Sequence, residues 1–283
     1  TDLQVSSMSL SGGTMKDTAG GAASTSVSGD PGSAVVDANV PTASTVTMAS
    51  SNSNSALAKV GDTVTLTLVF SEAVGVPTVT IDGNAATEAC TSTTQCTASY
   101  LMQAGDTEGS LGFTLDFADT ATNAGVQVTA LTGGTSAVTF DETAPTISVQ
   151  TVATDGYVNK DEKSSFTITG VSAGANGQTL TVAYGGASET GTIAGDGTWS
   201  VTMCDDEDCT GVNDGLITVT ADVSDTTGNA ATQASILANQ DTVDPTTTIS
   251  SIDISADTGS SATDFITKTA AQTITATLSS PLA

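Results

Sequence analysis

The 283-residue chain contains no histidine and no arginine. Their absence removes the commonest general base, the commonest zinc ligand and the bidentate anion clamp. No Ser-His-Asp arrangement can form. Basic residues are nearly absent: five lysines stand against 31 acidic residues, for a formal charge of −26. A nucleic-acid binder needs a basic patch that this chain cannot supply, and an anionic membrane surface would repel it. Aromatics make up 4% of the residues, too few to spare many for a carbohydrate-stacking platform. No stretch approaches the ~20 apolar residues of a membrane span, and no signal-peptide core is present. The chain opens at Thr1, so it reads as a processed protein or an internal segment of a longer one.

Threonine, serine, alanine, glycine, valine and aspartate dominate what is there. Charged residues amount to 13%, about half the usual share, so polarity comes from hydroxyls. Branched Thr and Val suit the pleated surface of a strand. The acidic excess favours cations as partners, above all Ca²⁺, which takes carboxylate and carbonyl oxygens. The plainer account is that the charge keeps a long protein soluble and self-repelling.

Four cysteines form two close pairs, Cys90/Cys96 and Cys204/Cys209. An even count in such a chain predicts two local disulfides and an oxidising compartment. Each short loop is worth about 2 kcal/mol on the loop-entropy account. Zinc fits poorly, because there is no CxxC knuckle and the pairs lie far apart in sequence.

Repeats organise the rest. Asp37-Ala-Asn-Val-Pro41-Thr42, Asp141-Glu-Thr-Ala-Pro145-Thr146 and Asp241-Thr-Val-Asp-Pro245-Thr246 recur 104 and then 100 residues apart, the size of one immunoglobulin-like sandwich. A turn signature precedes each: Asp17-Thr-Ala-Gly20, Asp119-Thr-Ala-Thr-Asn123 and Asp225-Thr-Thr-Gly228-Asn229. Asp with Gly or Asn is turn chemistry. An alternating strand follows each: Val64-Thr-Leu66-Thr-Leu68, Phe166-Thr-Ile168 and Ile274-Thr-Ala276-Thr-Leu278. Period-two alternation predicts half-buried antiparallel strands with threonines toward water. Leu111, Phe113, Leu115 and Phe117, and Ile217, Val219, Ala221 and Val223, form matching strands before two of the turns. Trp199, Val201 and Met203 read as an inward face, with Trp199 as a core anchor. Gly195-Asp-Gly197 precedes a strand and reads as a hairpin turn, not a phosphate cradle.

This pattern resembles the bacterial immunoglobulin-like repeats of large secreted surface adhesins. Lys59-Val-Gly-Asp62-Thr-Val-Thr-Leu, Ser71-Glu72-Ala-Val, Gly105-Asp106-Thr-Glu108-Gly109 and Phe140-Asp141 look especially like one such repeat. Ile252-Asp-Ile-Ser-Ala-Asp257-Thr-Gly259 through Asp264-Phe-Ile-Thr resembles the opening of another type. The expectation is an all-β chain of tandem immunoglobulin-like antiparallel sandwiches in an elongated array. Complete units are expected at 40–140 and 141–241. Residues 1–39 read as the last strands of a preceding unit and 242–283 as the first strands of a following one. About 40 residues rarely fold alone. The simplest reading is a window on a longer array. The sharper alternative joins the partial ends of neighbouring copies by strand complementation into a filament or surface layer.

The resemblance also implies Ca²⁺ between domains. The candidate ligands are Asp37, Asp119, Asp141, Glu142, Asp225, Asp241 and Asp244, with Asp17 in the corresponding first loop. Without metal, each junction Asp would simply cap its own turn. Asp155 to Glu162, and Asp253 with Asp257 and Asp264, are secondary candidates and match no EF-hand. The acidic loop Cys204-Asp-Asp-Glu-Asp208-Cys209 reads as a stapled, solvated turn. No organic cofactor and no catalysis are expected. The implied role is a stalk or spacer, extracellular or at the cell surface. Its partners would be neighbouring repeats or copies of itself, with any cell or surface gripped by a part outside this chain.

Overall fold

The computed structural model describes residues 2–3, 18–19, 34–35, 37–133, 137–205, 208–261 and 263–281. The chain is all-β and divides into two compact units, Thr1–Thr143 and Ala144–Ala283. Of residues 1–39, a short antiparallel pair is described, β1 (Asp2–Leu3) with β2 (Ala34–Val35). Asp17 lies outside the described residues.

The first unit continues through β3 (Ala43–Ser50), β4 (Leu57–Ala58), β5 (Thr63–Phe70), β6 (Thr78–Ile81), β7 (Asn84–Ala85), β8 (Thr87–Ser92) and β9 (Gln95–Leu101). It closes with β10 (Gly109–Ser110), β11 (Phe113–Asp116) and β12 (Thr139–Phe140). One sheet has the order β3-β5-β9-β8. The facing layer holds two ladders, β10-β12-β4 and β11-β6-β7, with β10 and β11 as successive stretches of one segment. In immunoglobulin letters this is A-B-E-D against A′-G-F-C-C′. Alternation sets the core: Val64, Leu66 and Leu68 of β5 meet Leu115, Val79, Ile81 and Phe140, all buried. Threonines of β5 point outward or are half-buried. Cys90 and Cys96 are opposed in register on β8 and β9 and form a disulfide that staples the edge strand to its neighbour.

The second unit comprises β13 (Thr146–Val152), β14 (Tyr157–Asn159), β15 (Phe166–Ala173), β16 (Thr179–Tyr184), β17 (Ala187–Thr192), β18 (Thr198–Met203), β19 (Gly215–Val223) and β20 (Ala234–Asp241). Its sheets are β13-β15-β18 and β14-β20-β19-β16-β17. The order is A-B-E against A′-G-F-C-C′, as in the first unit but with no D strand among the described residues. Trp199, Val201 and Met203 alternate inward with Phe166, Ile168, Leu180 and Val182. Ala194 and Thr198 close a hairpin turn around Gly195 and Gly197, as the sequence predicts. Cys204 and Cys209 are joined by a disulfide and both are buried. Asp206 and Glu207 of that loop lie outside the described residues.

The core of this unit contains a polar knot. Tyr184 and Gln240 are both fully buried, and the Tyr184 hydroxyl donates to Gln240 Oε1 at 3.1 Å. Gln240 Nε2 donates to the Val212 carbonyl at 3.0 Å. Each buried polar group thereby finds a partner. Burial, and then the charge of Asp214, push the Tyr184 phenol up to about 12.

A last hairpin pairs β21 (Ile249–Ile254) with β22 (Ile274–Leu278) antiparallel.

Candidate metal centre

The turns after the F strands, residues 119–123 and 225–229, are built alike. Asp119 N–H donates to the Asn123 carbonyl at 3.1 Å, and Asp225 N–H to the Asn229 carbonyl at 3.1 Å. Each carboxylate then fills its own loop. Asp119 Oδ1 accepts the Asn123 amide at 2.7 Å and Oδ2 accepts Asn123 Nδ2 at 2.7 Å. Asp225 Oδ1 accepts the amides of Thr227, Gly228 and Asn229 at 2.7–2.9 Å, and Oδ2 accepts Asn229 Nδ2 at 3.0 Å. Both aspartates are buried, a placement that carboxylates tolerate only when donors surround them.

In the first unit this turn meets two other segments. Asn123 Nδ2 also donates to the Asp37 carbonyl at 3.1 Å, tying the incoming linker to the turn. Glu72 follows β5 by two residues and comes from the B–C loop at the same end. One carboxylate oxygen each from Asp37, Glu72 and Asp119 lies within 4.8 Å of the others. Burial, and then the charges of Asp37 and Asp119, push Glu72 above its ordinary value. Burial also pushes Asp119 up, but hydrogen bonds from the Asn123 side chain and nearby amides outweigh it and hold Asp119 below its ordinary value. Three convergent carboxylates without a cation repel one another; a hard divalent cation would relieve that repulsion with an all-oxygen donor set. The residues fit Ca²⁺ in kind.

Sequence reasoning named Asp37 and Asp119 but not Glu72 as a ligand. The available signal was positional: the B–C and F–G loops of a sandwich share one end. Among the described residues this is the single group of three or more such acids at that spacing, and Asp141, Glu142, Asp225, Asp241 and Asp244 are not in it. At the same offset as the matched B strands, Gly174 stands where the first unit has Glu72.

The junction aspartates share a simpler chemistry. Asp37, Asp141 and Asp241 each accept the amide two residues on, from Asn39, Thr143 and Val243, at 3.0–3.1 Å. Glu142 accepts the Gly105 amide at 3.0 Å, and Asp244 forms an exposed ion pair with Lys160. Of the secondary candidates, Asp155 and Glu162 accept amides at the two ends of β14, and Asp257 and Asp264 accept loop amides.

One device escaped the sequence reading. Just before or at the start of the F strand an acid reaches out to the departing linker. Glu108 Oε1 accepts the Glu142 amide at 2.9 Å and the Thr143 hydroxyl at 2.6 Å. Asp214 Oδ1 accepts the Thr242 amide at 3.1 Å and its hydroxyl at 2.9 Å. The Thr143 hydroxyl and then the Glu142 amide hold Glu108 below its ordinary value. Asp214 is pushed up by burial but held lower overall by Thr242. Both folded-state values are depressed. The clamp is therefore intact above the ordinary carboxylate range and is lost as pH falls through the depressed folded values. Glu108→Ala is expected to speed exchange of the Glu142 amide by roughly tenfold at neutral pH, leaving the core strands unchanged. Unchanged exchange at Glu142 would show that the clamp holds nothing.

A scan against family models and a search of curated proteins found no match. Among solved structures, the chain is similar to a Ca²⁺-stabilised adhesin with which an Antarctic bacterium binds ice. Identity there is 22% and the TM-score 0.49, covering 85% of this chain and 58% of that one. It is also similar to a 1.5-MDa bacterial ice-binding adhesin, at 19% identity and a TM-score of 0.44, covering 74% of this chain and 67% of that one. A bacterial immunoglobulin-like domain of the M. primoryensis ice-binding adhesin matches at 24% identity and a TM-score of 0.27, covering 35% of this chain and 99% of that one. The chain thus spans 58% of the length of the first of these. No helix among the described residues is long and apolar enough to cross a membrane.

Proposed function

We propose that this chain is a non-catalytic stalk or spacer segment of a bacterial surface adhesin, working outside the cell and stiffened by Ca²⁺. The observation that carries the reading is repetition at the level of hydrogen bonds. Two units share strand order, F–G turn, junction Asp turn and linker clamp. Such investment in how each module ends suits a protein whose task is to hold its modules in series. The resemblance to adhesin repeats supports the same reading. We propose the module limits 40–140 and 141–241, with 1–39 and 242–283 belonging to the units before and after. Its partners are neighbouring repeats, and a surface or cell is gripped by a part outside these residues.

The Ca²⁺ site in this reading is Asp37, Glu72 and Asp119. Because Glu72 is held above its ordinary value, its ionised form opposes folding when no cation is present, increasingly so as pH rises through that value. Glu72→Gln is therefore expected to raise the melting temperature of the first unit in chelator at neutral pH. In the parent, millimolar Ca²⁺ should raise that midpoint by several degrees, and the variant should lose this response. A parent chain that melts and scatters identically in Ca²⁺ and in chelator would rule the site out.

A further inference from the structure

The β21–β22 hairpin repeats the bulge and end bonds of the β3–β5 pair of the first unit. In the first unit β3 pairs with β5, with a bulge between Ala43 and Thr45. In the hairpin the bulge falls between Ile249 and Ser251. Ser44 Oγ donates to the Val69 carbonyl at 3.1 Å, and Ser250 Oγ donates to the Thr277 carbonyl at 3.0 Å. The Thr42 amide donates to Ser71 Oγ at 2.9 Å, and the Thr248 amide to Ser279 Oγ at 2.9 Å. The Ser71 amide returns to the Thr42 carbonyl at 2.9 Å, and the Ser279 amide to the Thr248 carbonyl at 2.8 Å. Ile252 thus stands where Val46 does, Ile274 where Leu66 does, and Leu278 where Phe70 does.

The burial is opposite. Val46 and Leu66 are 0% exposed, whereas Ile252 is 52% and Ile274 71% exposed. In the first unit two things cover this face. Strand β9 pairs along the far edge of β5, setting Ala98 opposite Leu66 and Cys96 opposite Leu68. The facing layer then buries Val79, Ile81, Leu115 and Phe140 against both strands. Beside β22 no strand among the described residues occupies the corresponding edge.

We infer that the hairpin is a docking surface for the remainder of an immunoglobulin-like sandwich: an E-type strand antiparallel to β22, followed by an apolar C–F–G layer. The occupant is polypeptide from outside these 283 residues. A second copy of this chain is a poor source. Its two E-type strands, β9 and β18, are already paired within their own units, and two chains of charge −26 repel. An open edge beside exposed isoleucines is also the feature that sheets normally cover. The inference rests on the tandem-array reading and makes one of its ends specific.

The test appends residues 72–141 of this chain after Ser279 of the full chain, so that the hairpin supplies strands A and B to a grafted remainder. Exchange of the β21 and β22 amides is expected to slow by at least about tenfold, and a third unfolding transition should appear. Ile274→Asp in the same graft should abolish both. Unchanged hairpin exchange in the graft overturns the inference. So does concentration-dependent protection of the hairpin in the ungrafted chain together with a dimer mass by light scattering, which would make a second copy the occupant. The graft carries copies of Glu72 and Asp119, so both readouts are taken in chelator, where no Ca²⁺ contributes, and failure here is distinct from failure of the Ca²⁺ test.

Discussion

Replacing Asp225 by Ala should cost the second unit about 3 kcal/mol, an unusually large loss for a turn residue. The carboxylate is buried and gathers three backbone amides and the Asn229 carboxamide. Alanine leaves those donors facing no acceptor. Hydrogen bonds to a charged acceptor are each worth about 1.5–3 kcal/mol, but part of the four-bond total returns as the loop relaxes. For a module of this size the midpoint should fall by well over about 10 °C. Asp225→Asn keeps an acceptor and should cost clearly less. Calorimetry that separates the two units would check both. Equal, small losses for Ala and Asn would mean that the turn is held by its strands alone.

The second large effect concerns Gly170, in the middle of β15. An added Cβ would stand 2.0 Å from the Ser148 carbonyl oxygen and 2.3 Å from the Trp199 ring. The carbonyl cannot retreat, because Ser148 and Val149 are held in register against Val171 and Gly170. Trp199 cannot retreat either, since it is buried in the core opposite Gly170. Gly170→Ala should therefore destabilise the second unit by about 3 kcal/mol or more. Trp199 is the sole tryptophan, so its fluorescence reports on this site alone. A red shift should accompany the loss. Gly195→Ala, with nothing within 4 Å of the added atom, is the matched control and should be near neutral. If the two variants melt alike, the close approach at Gly170 carries no weight.

Much of the fold was legible because alternation and turn chemistry are local. Leu66 and Leu68, Phe166 and Ile168, and Trp199 with Val201 and Met203 all turn inward as their spacing demands. Asp119 and Asp225 close turns that their Asn partners announce. What stayed hidden depends on chain segments far apart in sequence. Glu72 becomes a candidate ligand only when the B–C loop meets the F–G turn. Glu108 and Asp214 grip linkers about thirty residues downstream, and no spacing rule relates them. The alternation of Ile274, Ala276 and Leu278 matches that of β5, yet alternation records a preference for burial and not the presence of a cover.

The pairing of β4 with β12, and of β14 with β20, is parallel where most of the remaining ladders are antiparallel. Each pair joins an early strand of a unit to its last. Pulling a module by its two ends draws such strands past one another lengthwise. Their hydrogen bonds must then yield together under shear, instead of opening one at a time like a zipper. In the proposed spacer role, a short parallel ladder at each module's exit would meet extension in shear.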